Sequence, residues 1–207
     1  MTEIIIFSII AYLLGSIPTA VWIGKIKYQI DVREHGSKNA GATNTFRVLG
    51  KKPGVVVLLI DIIKGATAVT LPFLFSYAPW GSDELIKLQL ITGILAVIGH
   101  ILPVFAKFKG GKGVATSLGI VVGIHPLAAL ICLVIFLIIF ILFQFVSLGA
   151  IVAAIAFPIV LEFIFKNENY YLFYYSIILS IAVLVAHRKN IKRLLDRNEN
   201  KMNLFGK

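Results

Sequence analysis

Apolar residues run along this chain in blocks too long for the helices and strands of a water-soluble domain. Four are plain: Ile4 to Gly24, Gly54 to Phe75, Leu85 to Phe105 and Tyr170 to Ala186. Each approaches the length of about 20 apolar residues that an α-helix needs to cross hydrocarbon. Between Val114 and Phe165 lie 52 more residues with a single acid, Glu162, and a single histidine, His125. Proline and polar residues interrupt that stretch at Gly123 to Pro126 ("GIHP") and at Phe143 to Gly149 ("FQFVSLG"), which predicts three short helices there. One crossing in their place would give five spans and leave about 30 apolar residues without a home in lipid. The expected fold is therefore an all-α integral membrane protein with seven transmembrane helices, in one domain spanning 1–207 with no internal repeat.

Composition agrees: of 207 residues, 58% are hydrophobic and 14% charged, and the mean hydropathy is +0.92. The 20 Lys and Arg against 10 Asp and Glu could suggest nucleic acid, but in so apolar a chain a basic excess marks cytoplasmic loops. Seven basic residues fall between Lys25 and Lys52, three between Lys107 and Lys112, and seven after Ala186. This places the N-terminus outside, the C-terminus in the cytoplasm, and short interfacial segments on the cytoplasmic face. No Lys or Arg occurs in the first 24 residues and no small-residue cleavage site follows, so the first block is expected to be a retained span. "KIKYQIDV", alternating at Ile26, Tyr28, Ile30 and Val32, predicts an extended segment half immersed at the interface. The tail, with Ile191, Leu194 and Leu195 on one face and Arg188, Lys189, Lys192 and Arg193 elsewhere, predicts a helix on the inner leaflet. The only cysteine, Cys132, lies in an apolar run and permits no internal disulfide.

Chemistry concentrates in the polar segments. "HGSKNAGATNTFRVLG" combines Gly36 and Gly41 with Ser37, Asn39, Thr43, Asn44 and Arg47. Backbone N–H groups exposed by glycine, small neutral donors and one guanidinium suit a phosphate, although the composition serves equally for a basic loop gripping lipid headgroups. "FKGGKGVAT" is not a P-loop, because Ala106 and Gly113 stand where that motif needs Gly and Ser or Thr. Gly110, Gly111 and Gly113 could still let the backbone approach an anion, with Lys112 adding charge at a helix N-terminus. The alternative is a flexible turn with snorkelling lysines. His187 and Asn190, three apart, would share a helix face in the third segment, which also holds Glu199; a histidine at a helix end is more often only a solvated or capping group. Ser147 lies at a helix break. Asp61 and Lys64, three apart within a span, read as a mutually neutralising structural pair.

Taken together, "GSKNAGATNTFRVLG", "GHILPVFAKFKGGKGVAT" and "HRKNIKRLL" with its following Glu resemble the cytoplasmic motifs of the bacterial acyl-phosphate:glycerol-3-phosphate acyltransferases, the PlsY family. The likeness extends to "YLLGSIPTA" and "DIIKG", and so covers nearly the whole chain. One departure is Arg197, where the family usually has Gly shortly before the final Glu. The resemblance implies transfer of a fatty acyl group from acyl phosphate to the 1-hydroxyl of sn-glycerol 3-phosphate, the first step of phospholipid biosynthesis, at the cytoplasmic face of the bacterial inner membrane. It implies active-site roles for Ser37, Asn39, Thr43, Asn44 and Arg47, phosphate binding by Gly110, Gly111, Lys112 and Gly113, and glycerol 3-phosphate binding by Ser147, His187 and Asn190. Ser37, Arg47, Lys112, His187 and Asn190 are the expected catalytic set. Glu199 would be structural, ordering the basic tail. No cofactor, metal, nucleic acid or obligate protein partner is expected, only the two substrates and membrane lipid. The HxxxxD motif of acyl-CoA-dependent enzymes is absent, since Ala40, Phe105, Leu130 and Lys192 occupy the acid's place after each histidine. The competing class is a transporter of a phosphorylated solute, which would need anion-binding groups on both membrane faces; here they collect on one.

Overall fold

A computed structural model describes residues 2–75, 77–166 and 168–202. Among these, all regular structure is helical. The chain forms two compact units, one ending at Ile124 and one beginning at His125.

The first unit contains α1 (Thr2–Gly15), α2 (Thr19–Tyr28), a 3-10 turn (Val32–Glu34), α3 (Ala42–Leu49), α4 (Lys51–Leu74), α5 (Asp83–Ile101), a second 3-10 turn (Val104–Ala106) and α6 (Val114–Ile124). The second contains α7 (Pro126–Phe143), α8 (Val146–Ile159) with a π-helical extension (Val160–Ile164), α9 (Tyr170–Ala186) and α10 (Arg188–Leu195). Among the described residues four helices are long and apolar enough to cross a membrane, or six spans if the bent pairs α1–α2 and α9–α10 each count as one. Seven would require α6 as well, which is apolar but has only 11 residues. The region after Val114 divides where the sequence indicated. His125 caps α7, its Nδ1 accepting from Ala128 N at 3.2 Å, and left-handed Gln144 ends it.

Polarity is inverted relative to a water-soluble protein. Asp61, Lys64, Gln89, Thr92 and His100 are buried while Ile63, Ile141 and Leu142 face outward, the arrangement lipid demands. Association in hydrocarbon depends on close packing, and small residues provide it in the first unit. Ala11, Ala68 and Ala96, from α1, α4 and α5, form one fully buried cluster. Where α4 crosses α6, a methyl on Gly65 would run into the Thr116 backbone and one on Gly119 into the Ile62 carbonyl.

Two expectations are corrected. The first apolar block is not one continuous helix: α1 and α2 meet at a 41° bend across Ser16–Pro18. Proline cannot continue the backbone ladder, and the Ile17 carbonyl accepts from Lys64 Nζ at 3.0 Å and from Thr19 N at 3.1 Å. The segment Lys25 to Val32 is not extended either. Helix α2 runs through Tyr28, Gln29 turns left-handed at φ 56°, and Ile30 N donates to Gly24 O at 3.0 Å. Val32, fully buried, opens the 3-10 turn. Four alternating residues are too few to distinguish a strand from a helix end.

In the second unit, Pro158 inside α8 withholds the hydrogen bond that Ala154 O would otherwise accept. The Ser180 hydroxyl of α9 supplies it, which joins the helices through a group that would be costly to leave bare in lipid.

Candidate active site

The loop between α2 and α3 is organised by one amide. Asn44, buried on α3, donates from Nδ2 to Val32 O at 2.7 Å and His35 O at 3.1 Å, and its Oδ1 accepts from Ser37 N at 2.8 Å and Ser37 Oγ at 3.1 Å. The chemistry expected of Asn44 as a substrate donor is thus committed to the loop itself. Its neighbours are more accessible: Ser37 is exposed, and Asn39, Thr43 and Arg47 are half-buried. Thr43 and Arg47, four apart, share a face of α3.

Asp31 precedes this loop and accepts a two-pronged grip from Arg33, Nε to Oδ1 at 2.9 Å and Nη2 to Oδ2 at 2.7 Å, with Lys25 Nζ 3.2 Å away. Hydrogen bonding from Arg33 is the main cause holding the Asp31 carboxyl well below the usual carboxylate range, against the opposing effect of burial. The same contact raises Arg33 above its ordinary value. From that fixed position Arg33 Nη1 donates to Ala106 O at 2.9 Å and Lys109 O at 3.4 Å.

These carbonyls belong to the glycine segment. After the 3-10 turn, Lys107 and Phe108 are both left-handed, with φ of 55° and 57°. The N–H groups of Gly110 and Gly111 are engaged within the protein. Gly110 N donates to Ile101 O and Gly111 N to His100 O, each at 3.1 Å. The end of α5 has carbonyls in need of donors, and these glycines can come close enough to serve them: a methyl on Gly111 would strike the His100 ring. Gly113 alone of the three has a positive φ, 79°, and Ser117 N to Gly113 O at 2.7 Å is the first turn of α6. Lys112 stands two residues before Val114, the first residue of that helix, whose N-terminus favours anions.

Beneath the segment lies a buried ionic cluster. Lys64 Nζ is 2.8 Å from Asp61 Oδ1, so the expected pair forms. Thr19 Oγ1 donates to the same oxygen at 3.4 Å, and His100 Nδ1 lies 3.7 Å from it and 3.2 Å from Thr116 Oγ1. Thr19, Asp61, Lys64 and His100 line a small cleft with Ala40 of the first loop and Gly110 of the glycine segment.

In the second unit, His187 closes α9 and precedes α10, the two helices meeting at 62°. Its Nδ1 is 2.8 Å from Val183 O. A carbonyl only accepts, so Nδ1 is the donor in this contact. Glu199 collects the rest: Oε1 accepts from Ser147 Oγ at 3.1 Å and Asn190 Nδ2 at 2.8 Å, and Oε2 from Arg193 Nε at 2.7 Å. Burial opposes ionisation of Glu199, but these bonds and the Arg193 charge outweigh it and leave the carboxyl below its ordinary value. The tail then returns to the break after α7, with Met202 N donating to Gln144 O at 2.9 Å and Lys201 Nζ 5.6 Å from the centre of the Phe145 ring.

The sequence reading missed Asp31, Arg33, Thr19, His100 and Thr116. For His100 a signal existed: a histidine in one apolar block and an Asp–Lys pair in another must find partners inside the protein. Nothing distinguished Arg33 from its basic neighbours. Among the described residues, no group of three or more His, Cys, Asp or Glu side chains gathers as a metal site would.

A family model described as glycerol-3-phosphate acyltransferase matches residues 5–197. Relatives with that name from Streptococcus pyogenes serotype M5 (strain Manfredo) and serotype M49 (strain NZ131) are each 42% identical over 205 residues, covering 96% of this chain and 92% of theirs. A crystal structure of PlsY (YgiH), described as an integral membrane glycerol 3-phosphate acyltransferase in its glycerol 3-phosphate form, superposes with a TM-score of 0.87 at 37% identity, covering 99% of this chain and 100% of that one. A lysophosphatidic acid form gives 0.83 at 36%, covering 97% and 96%.

Proposed function

Because this chain belongs to the glycerol-3-phosphate acyltransferase family, we propose that it transfers a fatty acyl group from acyl phosphate to the 1-hydroxyl of sn-glycerol 3-phosphate. The products are lysophosphatidic acid and inorganic phosphate, and the reaction opens phospholipid biosynthesis at the cytoplasmic face of the bacterial inner membrane. Seven spans with the N-terminus outside would present all three polar segments to that face. The observation that most directly supports the reading is the glycine segment. Pinned to α5, it ends in Lys112 at the start of α6, an anion site in a protein whose bulk is built for lipid.

The chemistry needs no covalent enzyme intermediate and no cofactor. Acyl phosphate is a mixed anhydride with a good leaving group, so positioning carries most of the burden. The glycerol oxygen attacks the acyl carbon, an ester bond forms, the bond from that carbon to the phosphate oxygen breaks, and phosphate departs with the electron pair. Arg47, Lys112 and the N–H groups opening α6 stabilise the oxyanion and the departing phosphate. Ser37, Asn39 and Thr43 supply neutral donors, and Asn44 keeps Ser37 in place. Ser147, His187 and Asn190 hold glycerol 3-phosphate. A substrate phosphate oxygen takes the hydroxyl proton, with His187 the second candidate.

Phosphate release from palmitoyl phosphate by the purified protein tests the reading. Release is expected to require glycerol 3-phosphate and to fall by about a hundredfold with Lys112→Ala, whereas palmitoyl-CoA should yield no free CoA thiol. Folded protein that releases neither phosphate from palmitoyl phosphate nor thiol from palmitoyl-CoA would favour transport. A His187→Ala variant that binds glycerol 3-phosphate normally but does not turn over would move the base to His187.

A further inference from the structure

Lys107 and Phe108 are consecutive non-glycine residues in left-handed backbone. Such residues cost about 1 kcal/mol or more each and persist only when the surroundings over-determine them. Here the surroundings are identifiable. Ala106 O and Lys109 O bracket the pair, and both accept from Arg33 Nη1. Downstream, Gly110 and Gly111 are fixed to α5. The remaining edge of the guanidinium is held by both Asp31 oxygens, and the Arg33 side chain is only 20% exposed. Its charge is matched by a carboxylate and its Nη1 points into backbone.

We infer that Arg33, held by Asp31, is a positioning residue that locks the strained entry to the glycine segment and thereby sets where Lys112 meets phosphate. Arg33 binds no substrate in this scheme; it acts through the loop. Lysine cannot replace it, because a single ammonium cannot grip a carboxylate with two parallel bonds while serving carbonyls from its other side. The inference rests on the acyltransferase reading for its kinetic test and on the structure alone for its second test.

The kinetic test compares Arg33→Lys, Arg33→Gln, Lys112→Ala and the Arg33→Gln/Lys112→Ala double variant in phosphate release from palmitoyl phosphate with glycerol 3-phosphate. Arg33→Lys is expected to lose about tenfold or more in kcat/KM, since small displacements of a positioned group are that costly. Once Arg33 is Gln, removing Lys112 should cost much less than it does in the parent. Parental activity in Arg33→Lys, or losses that simply multiply in the double variant, would overturn the inference. The second test is lysyl endopeptidase digestion of the full-length protein in detergent. Arg33→Gln should speed cleavage at Lys107 and Lys109 several-fold and leave cleavage at Lys201 unchanged. Equal rates at the loop lysines would sink the clamp even if the parent protein proved not to be an acyltransferase, and faster cleavage in an inactive protein would sink only the acyltransferase reading.

Discussion

The glycine segment of the first unit and the tail of the second are both polar structures built beside apolar helices, but they are organised by opposite means. Backbone groups do most of the work around Gly110 to Gly113: two N–H groups satisfy α5, two carbonyls satisfy Arg33, and the charges lie in the layers around the loop, Asp31–Arg33 on one side and Asp61–Lys64 beneath. In the tail one carboxylate, Glu199, gathers a hydroxyl, an amide and a guanidinium directly. A backbone-built loop tolerates few changes of shape, because its residues are chosen for what they permit the chain to do. A side-chain-built site depends on a single charge.

The comparison should break first at Asp61. Asp61→Asn leaves the Lys64 ammonium buried without its carboxylate, a change that costs about 3–5 kcal/mol. Thermal unfolding in detergent should show the loss, and Asp61→Asn/Lys64→Met should recover most of it, since removing both partners is often close to neutral. A melting temperature unchanged by the single substitution would mean that the cluster under the glycine segment does not hold it.

Glu199→Gln should be milder, about 2–3 kcal/mol, because an amide retains the shape and one acceptor but loses the charge-assisted bond to Arg193. Its carboxyl is depressed in the folded protein, so its stabilisation is present in full above the ordinary glutamate range and is lost as pH falls through the depressed value. The difference in melting temperature between parent and Glu199→Gln should therefore be constant through neutral pH and shrink only in acid. A difference that closed near pH 7 would show that Glu199 is not the ionised organiser.

Which parts of this were readable beforehand follows from the range of the interactions. Helix α9 runs from Tyr170 to Ala186 as expected, and the breaks at His125 and Gln144 coincide with the polar interruptions, because membrane thickness and local turn chemistry act on neighbouring residues. The residue types of the polar segments were also legible, although the same composition serves a basic loop at lipid headgroups. Their actual partners were not. Arg33 meets Ala106 73 residues away, and Asp61 meets His100 across two helices. No periodicity encodes such pairs. At Gly110 and Gly111 flexibility suggested a backbone that comes close to an anion; it also brings their N–H groups onto the end of α5, a use that the sequence does not announce. The bend at Pro18 was written in the sequence, but an apolar run that passes through a proline still reads as one span.

The smallest expected effect lies at Arg197, just beyond the end of α10. Arg197 follows the end of α10 in left-handed backbone, φ 56°, with its N–H on Leu194 O at 3.2 Å and Asn198 N reaching back to Arg193 O at 2.7 Å. That is the geometry of a helix closed by a C-terminal glycine, and glycine adopts it without the crowding of a Cβ. Arg197→Gly should thus stabilise the folded tail by about 0.5–1 kcal/mol, partly offset by the greater freedom of glycine in the unfolded chain. Arg197 is exposed, and the hydrogen bonds to Glu199 come from Ser147, Asn190 and Arg193, so its charge is not what holds the carboxylate. Amide hydrogen exchange over residues 193–202 is the sensitive readout. Slower exchange in Arg197→Gly, with activity unchanged, would mean that strain at this cap limits the order of the tail; faster exchange would mean that the arginine side chain contributes more than its backbone costs, and the side-chain character of the tail would extend to the turn itself.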